Sequence, residues 1–242
     1  MDEDPIEALS EAGRPAVLGE VCGLFAHELS QPLAACRNYV ETVGAVLEGS
    51  PIAPRSAESA GLWLREASRQ LDRSLQILER LRSVMHAPVE ALRETSVAEV
   101  LDAACADERP AIAAAGVRLD MQVAPSSLRA LVEASRVQLA VAELVANALR
   151  AVRGLPPAER TVEVAAARSG SRVEIVVADG GLTVSDELLE RMNEPFFSTR
   201  PKKFGLGLSI VRSVAHGHGG ALCIERRVPQ GLRFRLQLRQ PD

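Results

Sequence analysis

The sequence predicts an all-α helical hairpin followed by an α+β two-layer sandwich. Apolar residues recur at steps of three and four over residues 16–48 and again over residues 56–86, which predicts two long helices. Beyond Pro88, strand-like alternating runs are interspersed with further helical runs. The chain has 242 residues, 47% of them hydrophobic, so it is long enough for one or two domains with buried cores.

The first predicted helix begins at Ala16, after an acidic tail (residues 1–15) that contains Pro5, Gly13 and Pro15. Its apolar stripe consists of Leu18, Cys22, Phe25, Leu29, Pro32, Cys36, Tyr39, Val43 and Val46. The helix is expected to end near residues 48–51, where Gly49, Ser50 and Pro51 form a cluster that breaks helices.

The second predicted helix ends before Pro88. Its apolar stripe consists of Leu64, Ala67, Leu71, Leu75, Leu78, Leu81 and Met85. One hairpin provides only a two-helix seam, so two apolar stripes predict a homodimer whose hairpins form a four-helix bundle. The alternative is that the hairpin packs on the rest of its own chain.

The pattern of the residues beyond Pro88 predicts helices on one side of a largely antiparallel sheet, which is the α+β arrangement. The predicted helices span residues 96–115, 133–152, 185–192 and 206–218. The predicted strands span residues 117–123, 128–132, 161–167, 172–178, 221–228 and 232–239.

Composition excludes several classes of protein. A net charge of −4 argues against a nucleic-acid partner. No apolar run approaches the length of a membrane span, and the acidic start Met1-Asp2-Glu3-Asp4 is not that of a signal peptide. The four cysteines include no Cys-x-x-Cys pair, which favours a reducing, cytoplasmic location.

The first helix carries the sequence His27-Glu28-Leu29-Ser30-Gln31-Pro32-Leu33. His27 falls outside the apolar stripe, so its imidazole is expected to face solvent. An exposed imidazole beside a carboxylate is a candidate nucleophile, with Glu28 taking the other ring proton as His27 attacks phosphorus. Judged on these two residues alone, a surface histidine beside a surface glutamate is the more common interpretation.

Three polar residues share one face of the helix predicted at 133–152. Glu143, Asn147 and Arg150 are spaced four and three residues apart. A carboxylate, an amide oxygen and a cation together suit a hydrated Mg²⁺ ion that carries phosphates. The alternative is the ordinary polar stripe of an amphipathic helix.

Asp179 ends an apolar predicted strand and is followed by Gly180 and Gly181. A carboxylate at a strand end can accept a hydrogen bond from a planar base, and glycines allow the backbone to approach a ligand closely. Taken alone, the same residues also suit a plain turn.

A second glycine motif opens the helix predicted at 206–218. Gly205 and Gly207 would present bare N–H groups and the positive end of the helix dipole to a phosphate. Before them, Phe196 and Phe197 precede a basic stretch and look like the hinge of a flap over a nucleotide.

In their order and spacing, these motifs resemble the core of sensor histidine kinases over about residues 16–240. The segment His27–Leu33 resembles the phosphoacceptor box, and Asn147 lies where the N-box asparagine lies. The first glycine box is matched by Asp179 and Gly181, the F-box by Phe196 and Phe197, and the second glycine box by Gly205, Gly207 and Leu208.

The resemblance implies a dimerisation and histidine-phosphotransfer domain at residues 16–90 and a catalytic ATP-binding domain of the GHKL type at 91–242. It implies ATP and Mg²⁺ as cofactors, with Asn147 helping to hold the metal and Asp179 reading the adenine amino group. Glu143 is the second predicted metal ligand, because it shares a helix face with Asn147. It also implies that a further set of residues contacts the nucleotide and its flap: Arg150, Gly181, Phe197, Gly205, Gly207 and Leu208.

The sequence departs from the family at several places, three of which bear on the chemistry. Thr183 replaces the last glycine of the first glycine box, so a β-carbon is expected to stiffen or crowd the flap. Gln31 stands where many kinases have Thr or Asn to position a water molecule for dephosphorylating the partner. Glu143 replaces a frequent Asn and is common in the wider GHKL group, where it acts as a base on water.

The predicted function is that of a two-component sensor histidine kinase, which autophosphorylates His27 and passes the phosphoryl group to an aspartate of a response-regulator receiver domain. The signal is expected from a partner protein or an upstream sensor domain. One alternative is a non-catalytic phosphotransfer or scaffold protein with a degenerate ATP-binding domain. Another is a GHKL ATPase, whose turnover would not depend on His27.

Overall fold

The structure is a computed structural model that describes residues 14–48, 57–84, 92–194, 197–199 and 205–241. Its contacts divide the chain into two compact units, one comprising Ser10–Arg82 and the other including Ser83–Asp242. No helix in the described part of the chain is long and apolar enough to cross a membrane.

The first unit is the predicted helical hairpin, formed by α1 (Arg14–Leu47) and α2 (Ala57–Val84). α1 continues without interruption through Pro32. Its predicted apolar stripe is confirmed at Phe25, Cys36 and Val43, which are all buried. On α2 the predicted Ala67 is buried too; Cys22 and Met85 lie outside the described side chains.

The stripe predicted for α2 is only partly right. Among the side chains of α2 that the structure describes, Ala67, Ser74 and Ile77 are buried, whereas Leu71 and Leu75 are 48% and 64% exposed. Leu64 and Leu78 are also exposed. The reason is geometric: the buried residues lie on one face of α2, and these leucines lie on a neighbouring face that is exposed in a single chain.

The second unit contains seven strands and five α-helices among its described residues. In chain order these are β1 (Arg93–Ser96), α3 (Val97–Ala106), α4 (Arg109–Ala114), β2 (Arg118–Ala124), β3 (Arg129–Val132), α5 (Ala134–Val152), β4 (Thr161–Ser169), β5 (Arg172–Asp179), α6 (Asp186–Arg191), α7 (Leu206–Gly217), β6 (Leu222–Arg226) and β7 (Leu232–Arg239).

Two elements differ from the prediction. The helix expected at 96–115 is divided into α3 and α4, because Pro110 lies at the start of α4 and has no N–H with which to continue a preceding helix. β1 was not predicted. It pairs antiparallel with β3, and Glu94 lies opposite Leu131.

The main sheet has five strands in the order β2-β4-β5-β7-β6. Only β2 and β4 run parallel; the other neighbouring pairs are antiparallel, as predicted. One sheet face is buried by α5 and α7, and α3 packs against α5. The core includes Val164 and Ile175 from the sheet and Leu144 and Ile210 from the helices.

Candidate functional site

A cavity of about 350 Å³ lies at one end of the second unit. Its walls come from α5, the segments that follow β5 and α6, the first turn of α7 and the start of β7. Most of the sequence-predicted binding residues line it: Glu143, Asn147, Arg150, Asp179, Phe197, Gly205, Gly207 and Leu208. Cavities of this size are typical of small-molecule sites.

Asp179 is the last residue of β5 and is 2% exposed. Its Oδ1 accepts hydrogen bonds from the N–H groups of Gly181 (2.8 Å) and Leu232 (3.4 Å). Burial raises the pKa of Asp179, while these two bonds and the nearby Arg227 guanidinium act in the opposite direction. The cavity therefore contains a carboxylate that is taken out of water and held in one orientation.

Gly181 is not among the residues that line the cavity; its N–H holds the Asp179 carboxylate in place. A β-carbon at residue 181 would lie 2.6 Å from Asp179 Oδ1 and 2.9 Å from the β-carbon of Ala151. These distances leave no space for a side chain, so the backbone bends back onto the carboxylate only because residue 181 is glycine.

The polar face of α5 forms another wall of the cavity. Arg150 Nη2 donates a hydrogen bond to Asn147 Oδ1, and both residues line the cavity with Glu143. A β-carbon at Gly207 would lie 2.9 Å from Glu143 Oε2. The glycine thus allows the first turn of α7 to approach this face of α5.

α7 begins at Leu206, with Gly205 as a cap that supplies no side-chain hydrogen bond. The first N–H groups of a helix have no partner within the helix and carry the positive end of its dipole. Gly205, Gly207 and Leu208 line the cavity, so this turn is positioned to receive an anion.

The segment before α7 contributes Phe197, Ser198 and Thr199 to the lining. The guanidinium carbon of Arg191 lies 4.4 Å from the centre of the Phe197 ring. Phe196 and most of the predicted basic stretch lie outside the described residues.

Sequence reasoning did not find the apolar wall of the cavity. Val184, Leu188 and Met192 form one part of it and recur every four residues, a helical spacing that could have revealed them. Leu232 and Phe234 on β7 form the other part, which depends on the pairing of β7 with β5.

Thr183, the expected source of crowding, has an exposed side chain and is not among the lining residues.

His27, Glu28 and Gln31 belong to α1 and are not among the residues that line the cavity. His27 is exposed, as predicted. Gln31 lies one helical turn further along, with its Nε2 atom 3.2 Å from His27 Nε2.

Residues 132–242 match the family described as histidine kinase-, DNA gyrase B-, and HSP90-like ATPases. Over 236 residues, the chain is 31% identical to the sensor protein FixL of Bradyrhizobium diazoefficiens, and the match covers 97% of this chain and 46% of FixL. It is 32% identical to the histidine protein kinase DivJ of Caulobacter vibrioides, covering 96% of this chain and 38% of DivJ. The chain thus spans less than half the length of either relative.

A solved structure with a related fold is that of histidine kinase ThkA in complex with response regulator protein TrrA. Its TM-score is 0.56 at 19% identity, and the match covers 95% of this chain and 64% of that chain. The matching ATPase family and the two kinase relatives support a sensor histidine kinase core, and the structure has the corresponding order of a helical hairpin followed by a unit of the GHKL ATPase type.

Proposed function

We propose that this chain is an ATP-dependent protein-histidine kinase that phosphorylates His27 and passes the phosphoryl group to an aspartate of a response-regulator receiver domain. The observation that carries the proposal is the cavity of about 350 Å³, where buried Asp179, the polar face of α5 and the first turn of α7 converge. A carboxylate at one end and an anion-binding helix start at the other match the two ends of a nucleotide.

In this proposal Asp179 accepts a hydrogen bond from the exocyclic amino group of adenine. Gly205, Gly207 and Leu208 place the start of α7 against the phosphates, and Arg150 adds a positive charge there. The two glycine cradles support this assignment, because a β-carbon at Gly181 or Gly207 would lie within 3 Å of Asp179 or Glu143.

Glu143 and Asn147 are the residues that would hold Mg²⁺. One carboxylate and one amide oxygen are a fitting donor set for a hydrated ion that takes its remaining oxygens from phosphates and water. Asn147 Oδ1 also accepts a hydrogen bond from Arg150, which places the guanidinium beside the proposed ion and the phosphates. When bound, the ion would neutralise negative charge on the phosphate oxygens.

In the reaction, a ring nitrogen of His27 attacks the γ-phosphorus of ATP. The new P–N bond forms as the bond to the β–γ bridging oxygen breaks and ADP leaves. Glu28 takes the proton from the other ring nitrogen, and the segment around Phe197 closes over the nucleotide to exclude water. Gln31 lies within reach of the same imidazole. In this proposal it orients the water molecule that dephosphorylates the response regulator.

The exposed leucines of α2 support a homodimer built by residues 16–90. Leu71 and Leu75 are 48% and 64% exposed within one hairpin, and a second hairpin would cover them in a four-helix bundle. The response regulator would dock on this bundle near His27, an interaction suggested by the ThkA–TrrA complex. The signal would reach the core from a sensor domain or partner protein.

The test is incubation of the full chain with γ-labelled ATP and Mg²⁺, comparing the wild type with His27→Ala, Asp179→Asn and His216→Ala. We expect acid-labile, base-stable label on the wild type and on the His216→Ala control, whose imidazole is exposed on α7 outside the cavity. Label should be absent from His27→Ala and reduced at least about tenfold in Asp179→Asn, which loses a charged acceptor. Label that persists in His27→Ala would overturn the assignment of the acceptor.

A second candidate function is ATP hydrolysis with Glu143 as the base on water. It is favoured by the position of Glu143 in the cavity, beside Gly207. It predicts ATP turnover that His27→Ala leaves unchanged and Glu143→Gln removes. The non-catalytic scaffold gains no support from Thr183, whose side chain lies outside the cavity lining.

A further inference from the structure

The turn between β6 and β7 (residues 227–231) contacts the segment that follows Asp179. Gln230 Nε2 donates a hydrogen bond to the carbonyl oxygen of Gly180 at 3.1 Å. Just after the turn, the N–H of Leu232 lies 3.4 Å from Asp179 Oδ1 and donates to it. The turn and the first residue of β7 therefore hold two consecutive residues at the end of β5.

Gly180 is buried, and both of its backbone polar groups have partners in this arrangement. Its N–H donates to the carbonyl of Thr161 at 3.1 Å, and its carbonyl accepts from Gln230. Removal of the Gln230 amide would leave a buried carbonyl without this donor, which is unfavourable. Gly181 follows directly, and its N–H donates the shorter of the two hydrogen bonds that Asp179 Oδ1 accepts.

Arg226, the last residue of β6, holds the other end of the same segment. Its Nε donates to the carbonyl of Val184 at 3.0 Å, and its Nη1 lies 2.6 Å from Asp186 Oδ1. Asp186 is largely exposed, so the ion pair contributes little; the bond to Val184, a cavity-lining residue, is the relevant contact. The segment between Asp179 and α6 is thus attached at both ends to one hairpin.

Gly231 shows that this attachment is a close-packed contact. Its φ is +99°, and a β-carbon there would lie 2.0 Å from the carbonyl oxygen of Asp179. Arg227, in the same turn, pairs with Glu163 on β4. The turn is therefore seated against the ends of two strands, which gives Gln230 a fixed base.

We propose that Gln230 and Arg226 are positioning residues for base recognition: they set the segment 179–184 so that Asp179 presents its carboxylate to the 6-amino group of a purine. Neither side chain lines the cavity, so both act through the backbone that they hold. The inference rests on the proposed function, because it assigns to that nucleotide site the residues that determine its preference for a 6-amino over a 6-oxo purine.

The experiment measures dissociation constants of the full chain for ATP and for inosine triphosphate, which has a 6-oxo group but the same triphosphate. The variants are Gln230→Ala and Arg226→Ala, with Val228→Ala as a matched control because Val228 lies in the same turn and is 90% exposed. In each variant we expect ATP affinity to fall about three- to tenfold, the equivalent of one hydrogen bond. Inosine triphosphate affinity should change by less than about twofold, since a 6-oxo group gains nothing from an aligned acceptor.

If the ratio of ATP affinity to inosine triphosphate affinity equals that of the wild type in both variants, the inference is overturned, whether or not both affinities fall. Arg226 is exposed, so Arg226→Ala keeps the test available if Gln230→Ala does not fold.

Amide hydrogen exchange at Gly181, measured without nucleotide, separates this inference from the proposed function. We expect exchange about threefold faster or more in Gln230→Ala than in the wild type and in Val228→Ala. Equal exchange in all three would contradict the positioning role. A wild-type chain that binds neither nucleotide would overturn the proposed function, and the exchange rates alone would then decide whether the turn holds the segment.

Discussion

Asp179 illustrates a single residue whose placement opposes stability. Burial raises its pKa, so the ionised carboxylate is less favourable in the folded chain than in water. Because the pKa is raised on folding, this group lowers the free energy of unfolding as pH rises from its unfolded pKa through its folded pKa. The hydrogen bonds from Gly181 and Leu232 offset part of that cost. A cost of this kind is expected at a binding residue, where the ligand supplies the missing partner.

His218 has the opposite character, because its burial is fully satisfied within the fold. It is 1% exposed and caps the end of α7. Its Nδ1–H donates to the carbonyl of Val214 at 2.7 Å, and its Nε2 accepts from the N–H of Glu133 at 2.9 Å. This pattern requires the neutral imidazole, and it joins the end of α7 to the start of α5.

Burial lowers the pKa of His218, although the Val214 carbonyl and the Glu133 carboxylate act in the other direction. The folded pKa lies below the unfolded value, so the stability that depends on neutral His218 is present above that unfolded value and is lost as pH falls towards the folded pKa. We expect wild type to lose more stability than His218→Gln between about pH 8 and about pH 5, by at most about 1.4 kcal/mol per pH unit.

Urea unfolding of the wild type and of His218→Gln at the two pH values measures the free energy of unfolding of each. His216→Gln is the control, because His216 is exposed on the same helix. Parallel pH profiles for wild type and His218→Gln would show that His218 does not titrate as the structure requires.

At the scale of elements, α2 presents apolar residues on two faces. One face buries Ala67 and Ile77 together with the polar Ser74, whose hydroxyl donates to the carbonyl of Gln70. The larger side chains, Leu71 and Leu75, are on the uncovered face. The face with the larger apolar side chains is therefore the one exposed in a single chain, which is expected if a second hairpin is its partner.

The double variant Leu71→Asp/Leu75→Asp is expected to convert the proposed dimer into a folded monomer. Two carboxylates on a covered apolar face would have to be desolvated, whereas within one hairpin the same positions are half-exposed or more. Light scattering behind size-exclusion chromatography at micromolar concentration measures the mass. Arg73→Asp, an exposed position on the same helix, is the control and should leave the mass unchanged. A monomeric wild type, or a dimeric double variant, would contradict the proposed bundle.

Elements with a strong periodic pattern were predicted well from the sequence, and elements defined by tertiary pairing were not. α5 and the hairpin of β4 and β5 lie within two residues of their predicted bounds. β1, with the sequence Arg-Glu-Thr-Ser, has no apolar alternation and exists through its pairing with β3. The cavity shows the same division: motif residues such as Asp179 were found, but Leu232 was not, because it reaches Asp179 through the register of β7.

At the scale of the whole molecule, the ATPase unit has its own core and contains every residue that lines the cavity. β1 starts at Arg93 and is bound to β3 by its strand pairing and by an ion pair of 2.8 Å between Arg129 and Glu94. A fragment that starts at Leu92, one residue before β1, keeps all of these contacts. A fragment of residues 92–242 should therefore retain the complete nucleotide site without the hairpin.

We expect the fragment 92–242 to unfold cooperatively and to bind ATP within about threefold of the affinity of the full chain, since the described residues that line the cavity all belong to the fragment. It should take up no acid-labile label, because it lacks His27. Calorimetric titration with ATP, with Asp179→Asn in the same fragment as the control, tests the first expectation, and γ-labelled ATP tests the second. Loss of ATP binding in a folded fragment would mean that the nucleotide site depends on the hairpin. Retained binding without label would assign nucleotide recognition to one unit and the phosphoacceptor to the other.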